Sequence, residues 1–216
     1  MCNDLTASKN ATIISIISCW ILYTNAFHQN KKIHKTLQVL ALFFLFVSLM
    51  QIYDWIFWEN LNKSKINYIF TKIAMISNHL QPIIYALLIN YLIKPIDGSS
   101  IFVLILYSIY AFIYSVYYWN QIDYTLVSKE SSPALYWKWN FFKGAEILYL
   151  LFLISLSFTS LNLVYPLNYI MVLINIISFF FSLYVFKKEI VGQLWCVIAS
   201  YIPVFLIFLE NSVKFV

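Results

Sequence analysis

Two rows of polar and ionisable side chains run through stretches otherwise fit for hydrocarbon, and their spacing sets out the chemistry this chain could do. In the first row Ser48, Gln51, Asp54, Trp55, Trp58 and Glu59 recur at intervals of three and four, which lines them along one side of a helix. In the second, Thr71, Ala74, Asn78, Gln81 and Tyr85 repeat that spacing, with Lys72 and His79 one position round. An ionised side chain within the bilayer costs at least ~2.5 to 3.5 kcal/mol, so such groups are expected to face the bundle interior, a partner or water. Asp54 and Lys72 each lie nine residues from Lys63, which places them at one depth in an antiparallel hairpin and predicts an ion pair between them. A site of this kind can bind or carry a small solute or cation. It can equally fix the register of the hairpin, the best-attested use of buried charge.

The elements that must hold these residues follow from composition. The 216 residues are 62% hydrophobic and 20% aromatic, well above the ~45 to 50% apolar content of soluble domains. Crossing ~30 Å of hydrocarbon takes about 20 mostly apolar residues. Runs of that kind fall at roughly 11–28, 36–60, 66–93, 101–119, 135–161, 168–187 and 193–213. The expected fold is all-α: a single seven-transmembrane-helix bundle over residues 1–216, embedded in the lipid bilayer as a multi-pass membrane protein. Lysine-rich or Pro- and Gly-containing breaks separate the runs, and the connection after Trp119 is the one sizeable loop. With three glycines in the chain, small-residue crossings are not the packing device, and aromatic and β-branched side chains must fill the bundle. Tyr114 to Trp119 and Tyr136 to Trp139 read as anchors at headgroup level. The apolar run after the N-terminal stretch lacks a clear cleavage site and is expected to stay in the mature protein. Three lysines directly after the first run argue for an outside N-terminus.

Several function classes are excluded or disfavoured. All 14 basic residues are lysine, so the planar fork suited to phosphates and base edges is missing and nucleic-acid binding is not expected. Net charge +5 reads instead as lysines meeting anionic headgroups. Cys2, Cys19 and Cys196 have no Cys-x-x-Cys spacing, and no disulfide framework follows. An intramembrane enzyme remains an alternative, but no His-x-x-x-His or His-Glu-x-x-His spacing occurs, and a zinc site would need Cys2, His79 and Asp54 gathered by folding. No cofactor is implied. A retinal Schiff base would need a deep lysine on helix seven, where the first lysine is Lys214.

Milder polar stripes mark the later helices: Gln193, Cys196, Ser200 and Pro203 on the seventh, Asn175, Ser178 and Ser182 on the sixth, Trp139, Lys143 and Glu146 near the start of the fifth. Such stripes mostly make interhelical hydrogen bonds. If they face the hairpin, a polar pocket is bounded by Gln51, Asp54, Trp58, Lys72, Asn78, His79, Gln81, Gln193, Cys196 and Ser200. Pro82 and Pro203 would free backbone carbonyls near mid-membrane depth. Tryptophans beside Asp54 favour a small cation over an anion. Cys2 could cap the bundle or carry an acyl chain, with Ser8 and Thr12 available to start helix one.

At these positions the chain resembles a family of polytopic membrane proteins of bacteria and large DNA viruses. Members open Met-Cys-x-Ser-x-x-x-Ser, matched by Met1, Cys2 and Ser8. They carry Gln-x-x-acid-x-x-x-Trp on helix two, matched by Gln51, Asp54 and Trp58, and Gln-Pro on helix three, matched by Gln81 and Pro82. The match covers about the first hundred residues. Asp4 stands where the family has serine, and Asp54 is one methylene shorter than the commoner glutamate. The resemblance implies the architecture and the hairpin site, and no reaction.

Overall fold

The computed structural model describes residues 4–24, 30–127, 135–185 and 191–212, and within them 81% of the protein is helical. The α-helices are α1 (Leu5–Thr24), α2 (Lys31–Glu59), α3 (Lys65–Leu92), α4 (Gly98–Tyr118), α5 (Ala145–Ser160), α6 (Leu167–Val185) and α7 (Val191–Ser212). Between α4 and α5 lie two short strands, β1 (Leu126–Val127) and β2 (Leu135–Tyr136), paired antiparallel, and a 3₁₀ turn at Lys138–Asn140. Helices α1 to α4 are long and apolar enough to cross a membrane.

Capping explains why several helices start earlier than hydropathy implies. Asp4 accepts a hydrogen bond from the Ala7 amide at 2.7 Å, so α1 begins at Leu5 and not at the apolar run near Ala11. Ser8 and Thr12, expected to begin the helix, sit buried inside it and bond back to the carbonyls of Asp4 and Ser8. Asn30, Ser64 and Asp97 cap α2, α3 and α4 in the same way. The largest departure is at α5, which begins ten residues later than 135. Gly144 stops it there: its φ is +94°, and a Cβ on it would lie 2.6 Å from the Tyr110 hydroxyl. Only glycine fits that turn.

The helices pack as a bundle in which α2 is central. It lies against α1, α3 and α7, while α5 joins α4 to α6 and also meets α3. The main apolar core draws on all seven helices, with Tyr85 and Ile89 contributed by α3. A second cluster gathers Met50, Phe57, Met75, Trp137, Trp139 and Cys196 between the α2–α3 hairpin and the segment before α5. At the first end of the hairpin Lys9 reaches Glu59 at 3.1 Å and lies over the Trp55 ring, joining the start of α1 to the end of α2. Both partners are substantially exposed, so the pair adds little stability. It also takes Glu59 and Trp55 out of the interior row.

At the opposite end Asp97 accepts from the Ser100 amide and hydroxyl, and Asn162 bonds to the Asp97 amide and to Ser100 Oγ, which ties the α3–α4 turn to the α5–α6 turn. The Ser100 bonds hold the Asp97 carboxyl below the usual carboxylate range, at about 2. Asp97→Ala is expected to cost about 1 kcal/mol, the worth of an N-cap. Because the folded value is depressed, that contribution is complete above pH ~4 and fades as the pH falls through about 2. Thermal unfolding in detergent of both proteins across that range checks it. Gly144→Ala should destabilise by more than the ~1 kcal/mol of an ordinary glycine replacement, since it combines φ strain with the Tyr110 clash.

Candidate functional site

Asp54 is fully buried on α2, and its carboxyl is met by a residue outside both helices of the hairpin. The Trp137 indole Nε1–H donates to Asp54 Oδ1 at 3.1 Å. Trp137 stands on extended backbone at the start of the 3₁₀ turn that carries Trp139, and the two rings stack with centroids 5.2 Å apart. Both are at most 1% exposed. The stretch from Leu135 to Asn140 therefore folds into the bundle, where the sequence suggests a headgroup anchor at the start of a helix. Its entry is fixed from α3: the Asn67 side chain accepts from the Thr125 amide at 2.9 Å and donates to the Thr125 carbonyl at 2.8 Å. Thr71 adds a hydroxyl contact to Thr125. A side-chain amide thus pairs with the backbone leading into β1, as a neighbouring strand would.

Lys72 does not pair with Asp54. Its ammonium sits 4.5 Å from the Tyr68 ring centroid and 4.6 Å from that of Trp119. The Lys9–Glu59 ion pair involves neither Lys72 nor Asp54. The reason is angular: α3 turns Thr71, Asn78 and Tyr85 inward, and a residue one position on is rotated by about 100°. Equal distance from the turn along the chain does not by itself bring two side chains together.

The remaining candidates separate in the same way. Asn78 donates to the Tyr149 hydroxyl at 3.1 Å, and that hydroxyl donates to Asn140, so α3 and α5 are joined next to the tryptophan pair. His79 turns toward α4, where Nδ1 bonds Ser115 Oγ at 2.9 Å and its own carbonyl accepts from Tyr107 at 2.7 Å. Gln81 and Cys196 meet in a crevice of about 10 Å³ walled by Phe43, Leu156, Asn175 and Trp195, room for about one water molecule. Ser200 bonds back to the Cys196 carbonyl within α7. Gln51 is fully buried on the same helix as Asp54, and Trp58 packs on the second cluster. The Gln193 side chain and Cys2 lie outside the described residues. Among the described candidates, Gln81 and Cys196 line the small crevice while His79 lines a separate one between α3 and α4.

What remains open chemically is a set of buried polar atoms. Asp54 Oδ2, Trp58 Nε1, His79 Nε2 and Gln81 Nε2 have no hydrogen-bond partner. The first two lie one helical turn apart on α2. A carboxyl oxygen and an indole N–H at that spacing can hold a water between them, which accepts from the indole and donates to the carboxyl. Among the described residues no three His, Cys, Asp or Glu side chains converge as metal ligands.

Trp137, Tyr149 and Asn140 are the residues that the three-and-four spacing does not reveal. The signal present was Gly144, which interrupts the run ahead of α5. Comparison with protein families, characterised proteins and solved structures finds no match.

Trp137→Phe should lower stability by about 1 to 3 kcal/mol by leaving Asp54 without its donor. Lys72→Ala should cost about 0.5 to 1 kcal/mol, the worth of an exposed cation–π contact. Combined with Asp54→Ala it should be additive within ~0.5 kcal/mol. Unfolding of the purified variants in detergent measures all three, and a strong coupling between positions 54 and 72 would restore the ion pair.

Proposed function

We propose that this chain is a seven-crossing membrane protein that binds and passes a small cation, the proton included, at Asp54. The observation that carries the reading is Asp54 itself: fully buried in a membrane-length helix, with one carboxyl oxygen bound to Trp137 and the other without a partner. A carboxyl serving only as a register pin is expected to be satisfied by a counter-charge, and Lys72 is engaged elsewhere. The closely filled interior argues for an ion and against a multi-atom solute. The structural alternative rests on the Trp137 bond, which is also what a purely architectural polar core would contain.

Crossings by α5, α6 and α7 are supported by their outward apolar side chains, such as Leu150, Phe158, Ile177, Phe180, Phe205 and Phe208. With 16 residues, α5 spans about 24 Å. The buried Leu135–Asn140 segment would complete its crossing, and non-helical backbone at such depth is tolerated where protein surrounds it. The family resemblance is compatible with this reading, because Asp4 in place of serine preserves an N-cap.

Two measurements test the proposal. Reporters fused to the two chain ends should fall on opposite sides of the membrane; the same side would exclude seven crossings. In proteoliposomes carrying a pH or alkali-cation gradient, Asp54→Asn should reduce ion flux to that of protein-free vesicles, while Lys72→Ala leaves it near wild type. Equal flux with and without the Asp54 carboxyl would leave the architectural reading.

A further inference from the structure

Helices α3 and α4 diverge along part of their length and leave a groove of about 760 Å³, within the ~300 to 1,000 Å³ range of small-molecule sites. Its walls include Ile76, Leu80, Phe112 and Val116, each 37 to 70% exposed on the outer face of the bundle. On helices that cross a membrane, such a groove opens sideways into lipid. Trp119 and Asn120, just past the end of α4, close one end, on the side where α3 begins.

Two polar groups distinguish this groove from a simple gap between helices. His79 lies on its wall and is 4% exposed; Nδ1 is taken by Ser115, and Nε2 has no partner. A buried ring nitrogen with no partner calls for a ligand atom. Lys72 stands seven residues earlier on α3, with its ammonium over Trp119, the same ring that ends the groove. Among the described residues it has no carboxylate within ion-pair distance.

We propose that the groove is a binding site for an anionic phospholipid of the surrounding bilayer. One acyl chain lies along it, the headgroup phosphate pairs with Lys72, and an ester oxygen below the phosphate meets His79. The dimensions agree. From Trp119 back to Ser108 the α4 wall runs about 16 Å, enough for much of a chain. Helical side chains lean toward their N-terminus, and the Lys72 ammonium accordingly lies over Tyr68, so the His79 ring sits about two turns, ~10 Å, deeper than the ammonium. A phosphate at the ammonium and the acyl ester that follows it bridge a gap of that size. A lysine stem is long enough to leave the aromatic rings and meet the phosphate while its methylenes stay on Trp119. A zwitterionic lipid would bring its own cation against Lys72, so selectivity should favour a headgroup with net negative charge. This site is independent of Asp54, and either can fail without the other.

Native mass spectrometry of the full chain in detergent micelles, with phosphatidylglycerol and phosphatidylcholine of matched chains, tests the proposal. The wild-type protein should retain phosphatidylglycerol about fivefold better, the preference one lysine contributes near a membrane surface. Lys72→Gln should bind both lipids alike. Ile76→Trp, at a lipid-facing wall position, should reduce retention of both while the thermal transition stays that of the parent. Equal retention of the two lipids by the wild type overturns the proposal. So does wild-type retention in both variants.

Discussion

A carboxyl group on a helix in hydrocarbon needs a donor from inside the protein, because neither lipid nor water supplies one there. In this chain the donor of Asp54 comes from a segment that is not a helix. Placing the Trp137 indole at 3.1 Å from Asp54 requires the chain to dip into the bundle before α5 starts. That dip depends on several other features: Asn67 and Thr71 fix its entry, Tyr149 and Asn140 secure its deep end, and Gly144 gives the turn from which α5 can start. The Tyr114 hydroxyl bonds the Trp139 carbonyl at 2.6 Å and the Tyr110 hydroxyl bonds the Gly144 carbonyl at 3.1 Å, so α4 provides acceptors' partners along the whole segment. Backbone groups that a helix would have satisfied internally are met by tyrosines instead.

The helical character of the chain and the inward faces of α2 and α3 were legible in the sequence, since three-and-four spacing survives any packing arrangement. Asn78, Gln81, Cys196 and Ser200 are all buried, as their stripes imply. The later stripes bond between helices: Asn175 reaches Ser160 on α5, and Trp195 on α7 donates to Ser178 on α6. What the sequence could not provide was partner choice. Lys72 and Asp54 are equally far from Lys63 along the chain, but a rotation of one residue on α3 sends the lysine to Tyr68 and Trp119. Hydropathy also cannot separate a helix from an apolar segment held inside a bundle, so Leu135–Asn140 reads as the start of a transmembrane helix.

The two rows of the hairpin therefore serve several different contacts. Glu59 and Trp55 hold α1, Asn67 and Thr71 hold the loop before β1, Asn78 holds α5, and His79 turns toward α4 and the groove beside it. Asp54 remains the position where burial, an unpartnered oxygen and a single neutral donor coincide. Neutral partners on a carboxyl leave its charge state responsive to whatever cation approaches, which a fixed ammonium would not. On the proposed reading, that difference separates an ion-handling site from a structural pin.

The central claim is that the segment carrying Trp137 is folded inside the bundle against Asp54. A variant retaining Trp137 as its sole tryptophan, reconstituted in vesicles, tests it through indole fluorescence. The account predicts emission that is quenched neither by aqueous acrylamide nor by brominated acyl chains, and that shifts when Asp54 is replaced by leucine. Ready quenching by either agent, or emission indifferent to residue 54, would contradict it.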